Sequence, residues 1–129
     1  MSEPRRNDHV RVRPRRLRRT SALRQLVTET RLHPSDLVLP LFYREGLVSP
    51  KAIPSMPGVV QHTEDSLRVA VNDAAAAGLG GIMLFAVPEK RDELGSGATD
   101  PDGALNFAVR TALKEVGDTC VVMADLCLD

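Results

Sequence analysis

Gly81-Ile82-Met83-Leu84-Phe85-Ala86-Val87 decides the fold class. It is apolar at every position and closed by Pro88. A half-exposed strand would alternate polar with apolar; an unbroken run of this length reads as a strand covered on both sides, as in a parallel sheet. Two other runs are of the same kind. One is Leu37-Val38-Leu39-Pro40-Leu41-Phe42-Tyr43, the other Thr119-Cys120-Val121-Val122-Met123-Ala124. Pro40 has no N–H for a ladder, which predicts a bulge or an early strand end there.

Helical patterns separate the strands. From a Thr63 cap to Gly78, Leu67, Ala70, Val71, Ala74 and Ala77 fall on one face, and Gly78 is a natural left-handed stop. A further helix is predicted from an Asp100 cap with Pro101 in its first turn. Its stripe is Leu105, Ala108, Val109, Ala112, Leu113 and Val116, closed by Gly117. A short helix comes earlier, capped by Thr20 or Ser21, with Leu23, Leu26 and Val27 as its apolar stripe and Pro34 barring continuation. Strand–helix–strand–helix–strand implies parallel βαβ units. Residues 44–62, rich in Pro and Gly, and 88–100 read as long loops at the carboxyl ends of strands. Barrels and open α/β sheets both place their active sites there.

The 129 residues suit one domain, and 17 basic against 17 acidic residues leave no net charge to attract a polyanion. The average hides an arm: eight arginines crowd residues 1–19, which lack periodicity, so the domain proper is read as 20–129. Glu3 and Asp8 interrupt the arm, which argues against a transit peptide, and no apolar stretch could span a bilayer. The expectation is a cytoplasmic protein without membrane association. No aromatic interleaves the arginines for base stacking, so a solvated arm, or one wrapped around a partner subunit, is preferred over nucleic-acid binding.

Two cysteines cannot make a disulfide framework. On one strand Cys120 and Cys127 would sit roughly 23 Å apart on opposite faces; Cys120 reads as a core residue. His9, His33 and His62 stand in polar contexts and read as surface residues. Gly95-Ser96-Gly97 could cradle a phosphate, but it lacks the P-loop and Rossmann spacings and reads better as a turn or lid.

Asp125, Cys127 and Asp129 are different. At i, i+2 and i+4 of an extended strand they point the same way. Burying carboxylates costs several kcal/mol, about enough to demand pairing or a metal. Two carboxylates and a thiol at a strand's carboxyl end would form half of a metal or acid–base site, to be completed by further chain. The plain alternative is a strand that ends by Ala124 with its acids facing water.

In order along the chain, several segments resemble the aminolevulinate dehydratase (porphobilinogen synthase) family. They are Arg15-Arg16-Leu17-Arg18, Asp36-Leu37-Val38-Leu39-Pro40-Leu41-Phe42 and Ile53-Pro54-Ser55-Met56-Pro57-Gly58-Val59. Met83-Leu84-Phe85-Ala86-Val87-Pro88, Gly95-Ser96-Gly97-Ala98, Asp100-Pro101-Asp102-Gly103 and Asp125-Leu126-Cys127-Leu128-Asp129 follow. The resemblance implies the first three βα units of a (β/α)8 barrel preceded by an arm that wraps a neighbouring subunit, usually in a homo-octamer. It implies a lyase of tetrapyrrole and heme biosynthesis that condenses two 5-aminolevulinate molecules to porphobilinogen. The Schiff-base lysines of that family lie past Asp129, and Lys51, Lys90 and Lys114 match none of their motifs. Asp125 matches an active-site acid with a supporting role. Zinc members read Asp-x-Cys-x-Cys at this place; here Cys127 is kept and Asp129 stands second, so the implied metal is zinc or magnesium. A non-catalytic α/β binding or assembly module with an arginine arm is the alternative. Three strands of eight leave sheet edges open, so the 129-residue piece alone is expected to be inactive and aggregation-prone.

Overall fold

The computed structural model of the protein describes residues 15–126, which divide into two compact units between Leu32 and His33. In the first unit a 3-10 turn at Arg16–Arg18 precedes helix α1 (Ser21–Leu26). Thr20 caps it, its hydroxyl accepting from the Leu23 N–H at 3.2 Å. This satisfies one of the donors a helix start leaves open. The helix stops at Leu26, well short of Pro34. With so few residues it has little cooperative gain to carry it further.

The second unit is a mixed sheet with helices on one face. Among the described residues its strands are β1 (Val38–Arg44), β2 (Lys51–Ala52), β3 (Val60–His62), β4 (Gly81–Val87) and β5 (Val121–Ala124). They lie in the order β2-β3-β1-β4-β5. β1 and β4 pair in parallel over their full lengths, from Val38↔Gly81 to Arg44↔Val87. Contrary to expectation, Pro40 neither bulges nor ends the strand. The Leu37 carbonyl accepts from Gly81 N–H, so odd-numbered backbone groups of β1 face β4. Pro40 therefore turns its missing N–H the other way, where β3 pairs only with Phe42 and Tyr43. No ladder bond is lost.

Residues 44–62 are more than the loop expected. Lys51 and Ala52 pair antiparallel with Gln61 and Val60, and β3 then joins β1 in parallel. Strands of two and three residues are too short to show a period. The turn between them closes through Met56 N–H to Ile53 O and Val59 N–H to Met56 O, each at 3.0 Å. Gly58 supplies a positive φ of 84°.

Helix α2 (Glu64–Ala76) starts at Thr63, whose side chain and Ser66 form a reciprocal capping box, and Gly78 turns with φ 75°. Helix α4 is Ala104–Val116, capped by Gly103 rather than Asp100. Asp100 is engaged in its own turn: its Oδ1 accepts from Asp102 N–H at 2.9 Å and its carbonyl from Gly103 N–H at 3.0 Å. The helix so begins one turn later, and its buried line is Ala104, Ala108, Thr111, Ala112 and Val116, with Leu113 47% exposed.

Leu41 and Tyr43 of β1 and Ile82 and Leu84 of β4 meet Leu67 and Val71 of α2 and Ala108 and Ala112 of α4. Leu67, Val71, Ile82 and Leu84 are fully buried, each contributing about 1.5–3 kcal/mol of apolar transfer. Cys120 is buried beside them, as expected. Only this face of β4 is closed by helices; Met83 and Phe85 opposite are half-buried. No described helix is long and apolar enough to cross a membrane.

A Cβ on Gly80 would stand 2.0 Å from the Ser35 carbonyl oxygen, while one on Gly97 would meet nothing within 4 Å. Gly80→Ala is expected to destabilise by at least about 2 kcal/mol, because backbone rather than a flexible side chain must move. Gly97→Ala should stay within about 0.5 kcal/mol. Denaturant midpoints of the two variants check this.

Candidate active site

The face of the sheet turned away from the helices carries the candidate chemistry. Pleating and the β1–β4 register place Phe42 next to Phe85 there, and their rings stack at 5.1 Å between centroids, 21° from parallel. β5 pairs with β4 through Met83↔Met123 and Leu84↔Ala124. The strand ends at Ala124, but the ladder gains one more bond, from Asp125 N–H to Leu84 O at 3.0 Å. Asp125 thus takes the same face as Met123, Met83 and Phe85. It is half-buried and does not stand free in water. Cys127 and Asp129, with which its side chain was expected to converge, lie outside the described residues.

A cavity of about 280 Å³ opens over the carboxyl end of β4. Phe42, Phe85 and Leu105 give it apolar walls, Asp125 lines it at the sheet, and Lys90, Arg91 and Asp92 line it from the loop. That loop is tied down at several points. The Glu45 carboxylate accepts from Glu89 N–H at 2.9 Å, and Glu45 N–H donates to Val87 O at 3.1 Å. Asp92 Oδ1 accepts from Leu94 N–H at 3.1 Å and Ser96 N–H at 2.9 Å. These bonds, those from Ser96 first, hold the Asp92 carboxyl below its usual range. Helix α3 (Ser96–Thr99), a single turn, follows Gly95 at φ 62°.

Gly95-Ser96-Gly97 therefore serves as a turn at the cavity mouth. Its Ser96 N–H, which a phosphate would need, is already spent on Asp92. At Gly103 the chain passes so close that a Cβ would lie 2.2 Å from Gly97 O, which fixes the loop against the start of α4.

Sequence reasoning did not find Glu45, Arg91 or Asp92. Asp92 left a signal in its spacing before Ser96, since Asx side chains often bond backbone N–H groups just ahead; Glu45 left none, because its partner is 44 residues away. His33 is exposed and caps the turn at Pro34–Asp36. His62, read as a surface residue, is half-buried on β3, its Nδ1 3.1 Å from Ser66 Oγ; burial lowers its pKa. His9 lies outside the described residues. Among those described, no three His, Cys, Asp or Glu side chains gather as metal ligands.

Parallel βα units with a partly apolar cavity over the carboxyl ends of the strands define an α/β protein of the class that takes small molecules there. Residues 11–129 match the model of the family described as delta-aminolevulinic acid dehydratase, and the chain belongs to that family. The protein named delta-aminolevulinic acid dehydratase in Streptomyces coelicolor is 57% identical over 120 residues, covering 92% of this chain and 36% of its own length. That of Mycobacterium tuberculosis H37Rv is 54% identical over 125 residues, 95% of this chain and 38% of its own. The chain thus spans little more than a third of these curated relatives. A crystal structure of delta-aminolevulinic acid dehydratase (porphobilinogen synthase) from Toxoplasma gondii ME49, in complex with the reaction product porphobilinogen, matches with a TM-score of 0.75. It is 33% identical, and the match covers 93% of this chain and 34% of that one.

Two outcomes follow from the geometry. Asp92→Ala should speed amide exchange at Leu94 and Ser96 by about tenfold or more, as the local opening free energy falls, with the α2 amides unchanged. His62 should titrate below the ordinary imidazole value of 6.5 in an NMR pH series. Its neutral form is the one the fold prefers, so its contribution to stability is present above that value and lost as pH falls through the lowered folded pKa.

Proposed function

We propose that this chain supplies the first three βα units of the (β/α)8 barrel of a porphobilinogen synthase, a hydro-lyase of tetrapyrrole and heme biosynthesis. The whole enzyme condenses two 5-aminolevulinate molecules to porphobilinogen with loss of two waters. The observation that carries this reading is Asp125. It stands on the open face at the carboxyl end of β5, lining a cavity with the stacked Phe42 and Phe85. A carboxylate half-shielded from water beside apolar rings can hold a substrate ammonium and take up its proton when the amine must become nucleophilic. Lys51, Lys90 and Lys114 are given no Schiff-base role; those lysines belong to other barrel strands.

Cys127 and Asp129 are proposed as the metal-binding pair. A thiolate with a carboxylate suits a divalent ion, and the thiolate tips the choice from magnesium to zinc. Bound there, the ion would supply Lewis acidity toward a substrate carbonyl. Two donors are half a tetrahedral set, so the residues of this chain fit such an ion in part. The arm, residues 1–19, is proposed to contact a neighbouring subunit in a homo-octamer, a role that exposed Leu17, Leu26 and Leu32 in and after it would serve. A cytoplasmic location is part of the same proposal.

The test is conversion of 5-aminolevulinate to porphobilinogen by the protein that carries this chain. Asp125→Ala is expected to lower kcat by about 100-fold or more, as loss of a proton-transfer group does. Cys127→Ser should lower bound zinc measured by atomic emission. The 129-residue piece by itself should make no porphobilinogen. A complete enzyme that forms none would end this reading.

A further inference from the structure

One wall of the cavity has no core of its own. Gly95, Gly97 and Ala98 line it, yet every residue from Ser96 to Asp102 is exposed. Bonds within this stretch shape it without tying it to sheet or helix: Ala98 N–H donates to Gly95 O at 3.0 Å, and the Thr99 hydroxyl to Ser96 O at 3.2 Å. The tie comes from α4, which its buried Ala104, Ala108, Ala112 and Val116 anchor in the core. Asn106 Nδ2 donates to the Asp100 carbonyl at 2.7 Å. Arg110, one helical turn on and on the same face, donates to the Pro101 carbonyl and to Asp102 Oδ1, the latter at 3.1 Å. Gly103 closes the turn through its N–H to Asp100 O, and a Cβ on it would stand 2.2 Å from the Gly97 oxygen. Whatever moves the turn 100–103 therefore moves Gly97 at the cavity.

We propose that Asn106 and Arg110 are positioning residues that hold this wall in its binding-ready place before substrate arrives. Neither is among the residues that line the cavity; they act through the turn 100–103 and Gly97. The inference rests on the synthase reading and deepens it by naming residues on which substrate capture depends. An exposed loop left to itself samples many positions, and binding must then select one and lose that entropy. A loop held by a buried helix has lost it on folding. Loosening the wall therefore raises KM by the inverse of the fraction of time it spends in place, while saturating substrate restores the wall and with it kcat. A residue that merely stabilised the fold would act the other way, lowering the amount of active enzyme, and so the apparent kcat, at unchanged KM.

The test is made on the enzyme carrying this chain, with 5-aminolevulinate as substrate. Asn106→Ala/Arg110→Ala is expected to raise KM about tenfold with kcat within about twofold, as for a wall in place about a tenth of the time. Without substrate, amide exchange at Ala98 and Gly103 should quicken about tenfold in this variant, while the α2 amides keep the parent's rates. Gly103→Ala, which keeps both side-chain ties but pushes on Gly97, should raise KM in the same way. Arg68→Ala removes exposed pairs with Glu64, Asp65 and Glu115, none of them in the turn, and should leave both constants as in the parent. An unchanged KM in the double variant, a fall in kcat at the parent's KM, or an equal rise in KM in Arg68→Ala would overturn the proposal. A parent enzyme that forms no porphobilinogen overturns the synthase reading instead, and the exchange rates at Ala98 and Gly103 then still decide whether α4 holds the wall.

Discussion

The parallel ladder from Val38↔Gly81 to Arg44↔Val87 is the constraint on which the second unit rests. In a pleated pair the register decides which side chains share a face, and a slip of one residue would exchange the two faces of a strand. In the observed register Leu41 and Leu84 go to the helices together, and Phe42 and Phe85 go to the open face together. One register thus builds the core and the floor of the cavity. It also aims β5, whose pairing with β4 brings Asp125 to the same open face. The chain approaches closely at the start of β4, where Gly80 passes the Ser35 carbonyl.

The loop after β4 is built on a different principle, with carboxylates standing in for secondary structure. A surface segment without a ladder must satisfy its N–H groups from side chains or water. Glu45 does this for Glu89, and Asp92 for Leu94 and Ser96. Both acids are thereby directed at backbone. The exposed pairs on the helices, such as Arg68 with Glu64 and Asp65, stand in open water and contribute little to stability.

Where one physical rule acted alone, residues were enough to read the structure. The run 81–87 became β4 to the residue, because nothing competes with an apolar stretch closed by a proline. Thr63 and Gly78 bounded α2 for the same reason: cap chemistry is local. The misreadings came where a local rule met a distant partner. Pro40 was tolerated because β3 pairs too far along to need its N–H. The short strands β2 and β3 exist only because β1 offers an edge. Asp100 had a turn of its own to close. At the cavity, the face that Asp125 takes was legible from alternation along an apolar strand, while the contribution of Glu45 depends on the fold bringing two loops together.

Spacing in the sequence also bears on the proposed metal pair. Asp125 keeps strand-like hydrogen bonding one residue past the end of β5, with its side chain on the cavity face. In sequence the proposed pair follows Asp125 by two and four residues. An acid beside the apolar rings and a thiolate–carboxylate pair farther along would then have separate tasks: the first suits an ammonium, the second a divalent ion. A single site holding all three could not treat them so, since a cation bound by Asp125 would repel the amine that the same carboxylate is proposed to receive. Separation along the strand is therefore a requirement of the proposed chemistry. It predicts that removing the metal changes how the substrate carbonyl reacts while leaving the amine's affinity for Asp125 largely intact.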